Sequence, residues 1–123
     1  MTKQKLELTW IGKEKRPKLE PRILLEDPDK SYHAKHRVTE NDIFDNRLIF
    51  GDNLLALKAL EQEFSGKVKC VFIDPPYNTG NNDFKYNDKW IVKDSPYRHS
   101  SWLEFMSKRL RLARNLLKPD GII

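Results

Sequence analysis

A single cysteine, Cys70, excludes an intrachain disulfide and most cysteine-built metal sites. No apolar run approaches the roughly 20 residues of a bilayer span. The opening Met1-Thr2-Lys3-Gln4-Lys5 lacks the apolar core of a signal peptide. These absences predict a cytoplasmic address and no membrane partner. Glycine is scarce: the chain has five, at 12, 51, 66, 80 and 121, and none stands in a Gly-x-Gly arrangement. Internal repeats and low-complexity tracts are also missing. What is present suits one modest domain at most: 123 residues, 33% charged and 38% hydrophobic, too apolar for wholesale disorder. A net charge of +5 and a pI of about 9.3 fit an anionic partner such as nucleic acid. That inference is weak alone, since many soluble proteins without such a partner are equally basic.

Residues 1–45 differ from the rest. Lys, Arg, Glu and Pro dominate, and Pro17, Pro21 and Pro28 interrupt any long helix. The segment reads as a basic N-terminal arm of short extended pieces packed on something else, or equally as a solvated leader. From Asn46 the pattern tightens. Leu48-Ile49-Phe50 reads as a buried strand ended by Gly51-Asp52. Asp52 or Asn53 then caps a helix through Phe64, with Leu54, Leu57, Leu60 and Phe64 at helical spacing and Ser65-Gly66 as its stop. Val68 to Ile73 reads as a second strand covered on both faces, with Cys70 in the core. Strand, helix, strand makes a βαβ unit with parallel neighbours. Residues 74–100 read as a polar, aromatic-studded loop. Ser101-Trp102-Leu103-Glu104 then forms a capping box that starts a helix. That helix turns Trp102, Phe105 or Met106, Leu110, Ala113 and Leu117 to one face and Glu104, Lys108, Arg111 and Asn115 to another. Lys118-Pro119-Asp120-Gly121 reads as a turn, and Ile122-Ile123 as the start of a third strand. A sheet of two strands and a beginning cannot enclose a core, so the chain reads as a piece of a longer protein.

The chemistry concentrates in Asp74-Pro75-Pro76-Tyr77-Asn78-Thr79-Gly80, at the carboxyl end of the second predicted strand, where open α/β sheets bind ligands. A given tetrapeptide arises by chance in a chain this long about once per thousand, at residue frequencies near 5%. The bland alternative is a proline-rich turn with a surface tyrosine. The residue types suit work on the exocyclic amine of a base, whose lone pair is delocalised into the ring. Two acceptors aimed at the amine hydrogens draw the nitrogen toward tetrahedral geometry. The Asp74 carboxylate is one acceptor, and the Pro75 carbonyl, held by the rigid Pro75-Pro76 turn, is the other. Tyr77 offers a flat face on which an extruded base can stack.

From Asn46 to Ile123 the sequence resembles the start of the catalytic region of amino-methylating DNA methyltransferases, whose catalytic motif reads Asp-Pro-Pro-Tyr. Gly51-Asp52-Asn53-Leu54, Asp74 through Gly80, and Asp83-Phe84-Lys85-Tyr86-Asn87-Asp88 are similar to the modification subunits of type III restriction systems. With no Gly-x-Gly loop before Asp74, the motif order matches the permuted β class, in which the cofactor loop and target-recognition region lie downstream. The resemblance implies an α/β, partial Rossmann-like methyltransferase fold, with residues 46–123 as the N-terminal part of the catalytic domain. It implies methyl transfer from S-adenosylmethionine to adenine N6, since Asp at the first motif position usually accompanies adenine. The implied partners are double-stranded DNA with a flipped adenine, a restriction subunit and a second methylase subunit. By the same resemblance Asp74, Pro75, Pro76 and Tyr77 are catalytic, and Asp52, Asn53 and Asp74 lie along the cofactor. A helix-capping role for Asp52 and Asn53 fits as well. The rival readings are an RNA adenine methyltransferase, whose cofactor loop should precede Asp74, and an inactive truncated product.

Other residues carry weaker signals. His33 and His36 have helical spacing but no evident third ligand, so surface histidines are favoured over a metal site. Lys108, Arg109, Arg111 and Arg114 suit either phosphate contacts or a solvated helix face. Asn78, Lys85, Tyr86, Lys89 and Trp90 mix charge with aromatics as nucleic-acid contacts do, and a mobile lid fits nearly as well.

Overall fold

The computed structural model describes residues 6–15, 18–43, 45–79, 81–86, 89–92 and 95–123, with only the backbone described for 81–86 and 89–92. Helix α1 runs Asn53–Phe64. Its start follows from the residue that precedes it: Asp52 Oδ1 accepts the backbone N–H of Leu54 at 2.9 Å and of Leu55 at 3.2 Å. Those donors would otherwise be orphaned in the first turn. Ser65 closes the helix, and Gly66 follows at φ +68°, a left-handed conformation in which a side chain would be strained.

Strand β1 is Val68–Cys70, and an antiparallel hairpin follows, β2 Asn81–Tyr86 with β3 Lys89–Val92. Helix α2 spans Arg98–Leu116 and leads directly into β4, Leu117–Ile122, which pairs parallel with β1. The expected strand–helix–strand unit therefore forms one element later, across α2 rather than α1. Leu48-Ile49-Phe50 forms no strand. It has no ladder to join among the described residues, and Leu48 and Phe50 stand fully exposed. The second strand is shorter than expected and uncovered, with Phe72 95% exposed and Cys70 at the surface instead of in the core.

Three further expectations are corrected. The 74–100 segment is not all loop, since it contains the hairpin and the start of α2. The capping box at Ser101–Glu104 does not form, because α2 begins a turn earlier, with Tyr97 at its N-cap and no side-chain cap. Lys118–Gly121 lies within β4. Val68 pairs with Leu117 and Cys70 with Ile122, so β4 bulges over that stretch and Pro119 interrupts no ladder bond.

Among the described residues the buried apolar side chains are Met106, Ala113 and Leu116, all on α2. Polar straps join α1 to α2: Asn115 Nδ2 donates to Glu61 Oε1 at 2.7 Å, and the Gly66 N–H donates to the Asn115 carbonyl at 3.0 Å. Glu104, expected on a solvated face, is 4% exposed because the N-terminal segment docks on it. Trp10 Nε1 donates to Glu104 Oε2 at 3.0 Å. Gly12, at φ +96°, turns the chain immediately after that contact. The N-terminal segment thus meets α2 at Trp10, while Ile23 and Leu25 stay exposed. No helix among the described residues is long and apolar enough to cross a membrane.

Candidate functional site

The Asp74–Thr79 run follows β1 after the three residues Val71-Phe72-Ile73 and crosses to α2, where the Trp102 indole N–H donates to the Pro76 carbonyl. A backbone carbonyl of the Pro-Pro turn is thereby pinned to a half-buried helix residue, and proline's fixed φ stiffens the rest. Tyr77 donates its hydroxyl to Asp74 Oδ1 at 3.1 Å. The carboxylate beside it holds the phenol proton and pushes the Tyr77 pKa above its usual value. The ring is 75% exposed, so its face is open to a stacking partner. Asn78 adopts φ +55°, a left-handed geometry that asparagine tolerates better than most residues, and its amide lies 3.4 Å from His99 Nδ1. Asn78 Oδ1 is buried and accepts no hydrogen bond from a described residue.

A second group of predicted residues sits at the start of α1. Asp52 serves as the helix cap, and its Oδ2 lies 3.6 Å from Arg109 Nη2. Arg109 Nε donates to Asn53 Oδ1 at 2.6 Å, and its guanidinium stacks 3.5 Å from the Phe105 ring centroid. Burial lowers the Arg109 pKa, and the Asp52 charge opposes that shift. Arg109, weighed from sequence only as a phosphate contact, is instead the residue that ties both candidate cofactor positions to α2. Its seven-residue spacing from Trp102 was the available signal. That spacing places both on one side of the helix, about 10 Å apart along its axis. The two predicted clusters, Asp52-Asn53 and Asp74–Tyr77, are therefore held to the same side of α2.

The remaining predicted positions divide. Gly80, Asn87 and Asp88 lie outside the described residues, as do the side chains of Lys85, Tyr86, Lys89 and Trp90. His33 Nε2 lies 2.9 Å from Glu26 Oε1, on an exposed stretch. Among the described residues no three His, Cys, Asp or Glu side chains are grouped to hold a metal.

Comparison with known proteins bears on this arrangement. Residues 68–123, which contain the Asp74 run and α2, match the DNA methylase family. The "Probable type III restriction-modification enzyme HindVI Mod subunit" of Haemophilus influenzae is 53% identical over 79 residues, covering 64% of this chain and 10% of that protein. The type III EcoPI Mod subunit of Escherichia phage P1 is 36% identical, and the EcoP15I Mod subunit of Escherichia coli is 34% identical. Each of those two alignments covers 100% of this chain and 22% of the relative. The chain thus spans about a fifth or less of the length of these relatives. No solved structure matches it.

Proposed function

Because the chain is homologous to type III Mod subunits and its residues 68–123 belong to the DNA methylase family, we propose that the complete gene product methylates adenine N6 in DNA as part of a restriction-modification system. The observation that carries this reading is the Asp74-Pro75-Pro76-Tyr77 turn, shortly beyond the carboxyl end of a parallel strand and anchored through Trp102. We take 46–123 as the N-terminal part of a Rossmann-like catalytic domain and 1–45 as an arm before it. Double-stranded DNA is the substrate, a restriction subunit and a second methylase subunit are the partners, and the cytoplasm is the setting.

The donor set suits S-adenosylmethionine. Asp52 and Asp74 are exposed carboxylates, and four residues after Asp74 the buried Asn78 Oδ1 is an acceptor with no partner among the described residues. Such acceptors match the hydroxyl and amine donors of a nucleoside-linked amino acid. Asp52 and Asn53 would hold its adenosine end, with Arg109 fixing both. When bound, that group supplies an electrophilic methyl on sulfur.

The chain's own residues do the rest. Tyr77 stacks on the flipped adenine and limits its motion. Asp74 and the Pro75 carbonyl accept hydrogen bonds from the two N6 hydrogens, which concentrates the lone pair on nitrogen in the direction of the methyl. Methylation would leave the nitrogen positive, and one of its two protons would pass to the Asp74 carboxylate and from there to solvent. Asp74 stabilises that charge while it develops. No covalent enzyme intermediate is needed, so positioning and electrostatics supply the effect. Mass spectrometry of nucleosides from DNA treated with the complete gene product should show N6-methyladenine. N4-methylcytosine as the sole product would refute the base assignment.

A further inference from the structure

On the side of α2 away from Trp102 lies a cleft of about 470 Å³ between that helix and the N-terminal segment. At about 100° per residue, Glu104, Lys108 and Arg111 share a stripe, and Trp102 projects from the opposite side. The cleft is lined by Lys13 and Lys15 from the arm and by Lys108, Arg111 and Arg114 from α2, against the one carboxylate of Glu104. That carboxylate is already engaged: Lys108 Nζ lies 2.9 Å from Oε1, and Trp10 donates to Oε2. Lys13 is paired with Glu7. Lys15, Arg111 and Arg114 form no ion pair with any described residue, and Arg111 shares only the field of the already engaged Glu104, so positive charge from two segments is in excess in one concavity.

Like charges lining one cleft repel, and an anion in the cleft would relieve that repulsion. The cations on α2 run from Lys108 to Arg114, about 9 Å along the axis, further than one phosphate group reaches. A row of that length suits a chain of phosphates, and arginine forks suit their oxygens. We propose that this cleft holds the backbone of a DNA strand, as a phosphate-binding surface separate from the Asp74 site. The inference rests on the reading of DNA as substrate and adds a place on this chain where the duplex is gripped. Docking of Trp10 on Glu104 builds it, because that contact brings Lys13 and Lys15 to α2.

The test is binding of a nonspecific duplex to the complete gene product by fluorescence anisotropy across a salt series. Arg111→Ala with Arg114→Ala should make the slope of log affinity against log salt shallower by about 2, roughly one counterion per lost contact. Arg111→Lys with Arg114→Lys should retain the slope, and matching circular dichroism checks that both variants fold. An unchanged slope in the alanine pair overturns the proposal. So does an unchanged slope beside a lost thermal shift with inorganic pyrophosphate, since the cleft would then take small phosphates and not a strand. Asp74→Ala, run in parallel, separates this inference from the methyltransferase reading. If the wild-type protein transfers no methyl group while the slope still falls in the alanine pair, only the methyltransferase reading fails.

Discussion

At the residue scale, the contact between Tyr77 and Asp74 changes what each substitution tests. From sequence, Tyr77 was a stacking face alone; its hydroxyl also holds one oxygen of the carboxylate at 3.1 Å. Asp74→Ala removes a preorganised electrostatic partner, and turnover of the complete gene product should fall at least about a hundredfold. DNA affinity should change little, because phosphate contacts supply most of it. Tyr77→Ala should lose stacking worth roughly 1–3 kcal/mol. Tyr77→Phe keeps the ring and loses one solvent-exposed hydrogen bond of modest net strength, so its loss should stay near or below about tenfold. Single-turnover methylation beside 2-aminopurine fluorescence at the target base checks all three. A Phe variant as impaired as Ala would mean that the hydroxyl, and not the ring, is what counts. The titration gives an independent check. The Asp74 carboxylate raises the Tyr77 pKa, so the phenol keeps its proton to higher pH than an ordinary tyrosine. Asp74→Asn should move that titration downward, read as phenolate absorbance against a Tyr77→Phe blank, and an unmoved titration would contradict the contact.

Among the elements, α1 was the most legible in the sequence, because its signals are local. Asp52 caps it, leucines recur at helical spacing, and Gly66 stops it. The Leu48–Phe50 strand was not legible, since an apolar run becomes a strand only where a neighbour offers a ladder. The start of α2 was misplaced because Ser101 and Glu104 have the spacing of a capping box while the helix already begins at Arg98, and Glu104 is bonded instead to a partner 94 residues away in sequence. No periodicity encodes that partner. The Pro-Pro turn was found from sequence, whereas its anchor on Trp102 and the Arg109 tie were not, because both depend on how α2 lies against β1 and α1. The Trp10 contact carries its own pH dependence. Burial raises the Glu104 pKa, but the Trp10 and Lys108 contacts outweigh it, so the folded value is lowered. A carboxylate with a lowered folded pKa stabilises above its unfolded pKa and loses that contribution as pH falls through the folded one. Acid should therefore release the arm, read as loss of the Trp10 indole N–H resonance. Glu104→Gln keeps an acceptor for Trp10 without the titration and should abolish the acid step. Release of the arm at the same pH in that variant would rule out Glu104 as the titrating group.

For the whole molecule, the surface area decides what this chain can do alone. A folded monomer of 14.6 kDa exposes roughly 6,900 Å². This chain exposes 11131 Å², and its buried apolar side chains among the described residues number three, all on α2. Phe50 and Phe72 face solvent. Burial of apolar area stabilises by about 25 cal/mol per Å², and so little of it cannot offset the ordering of backbone at 1–2 kcal/mol per residue. The helices would have to stand largely on the Asp52 cap and the polar straps, and exposed contacts of that kind contribute about a kilocalorie each. The 123-residue polypeptide, purified alone, should accordingly unfold in a broad, weakly cooperative urea transition and bind a hydrophobic dye before any denaturant is added. It should also transfer no methyl group to DNA above background, because the Asp74 turn is anchored to a helix that buries few apolar side chains. A sharp two-state transition with dye excluded would show that these residues bury far more than the present packing does. Tritiated methyl transfer by the isolated chain at an ordinary enzymatic rate would show that the site needs no further scaffold.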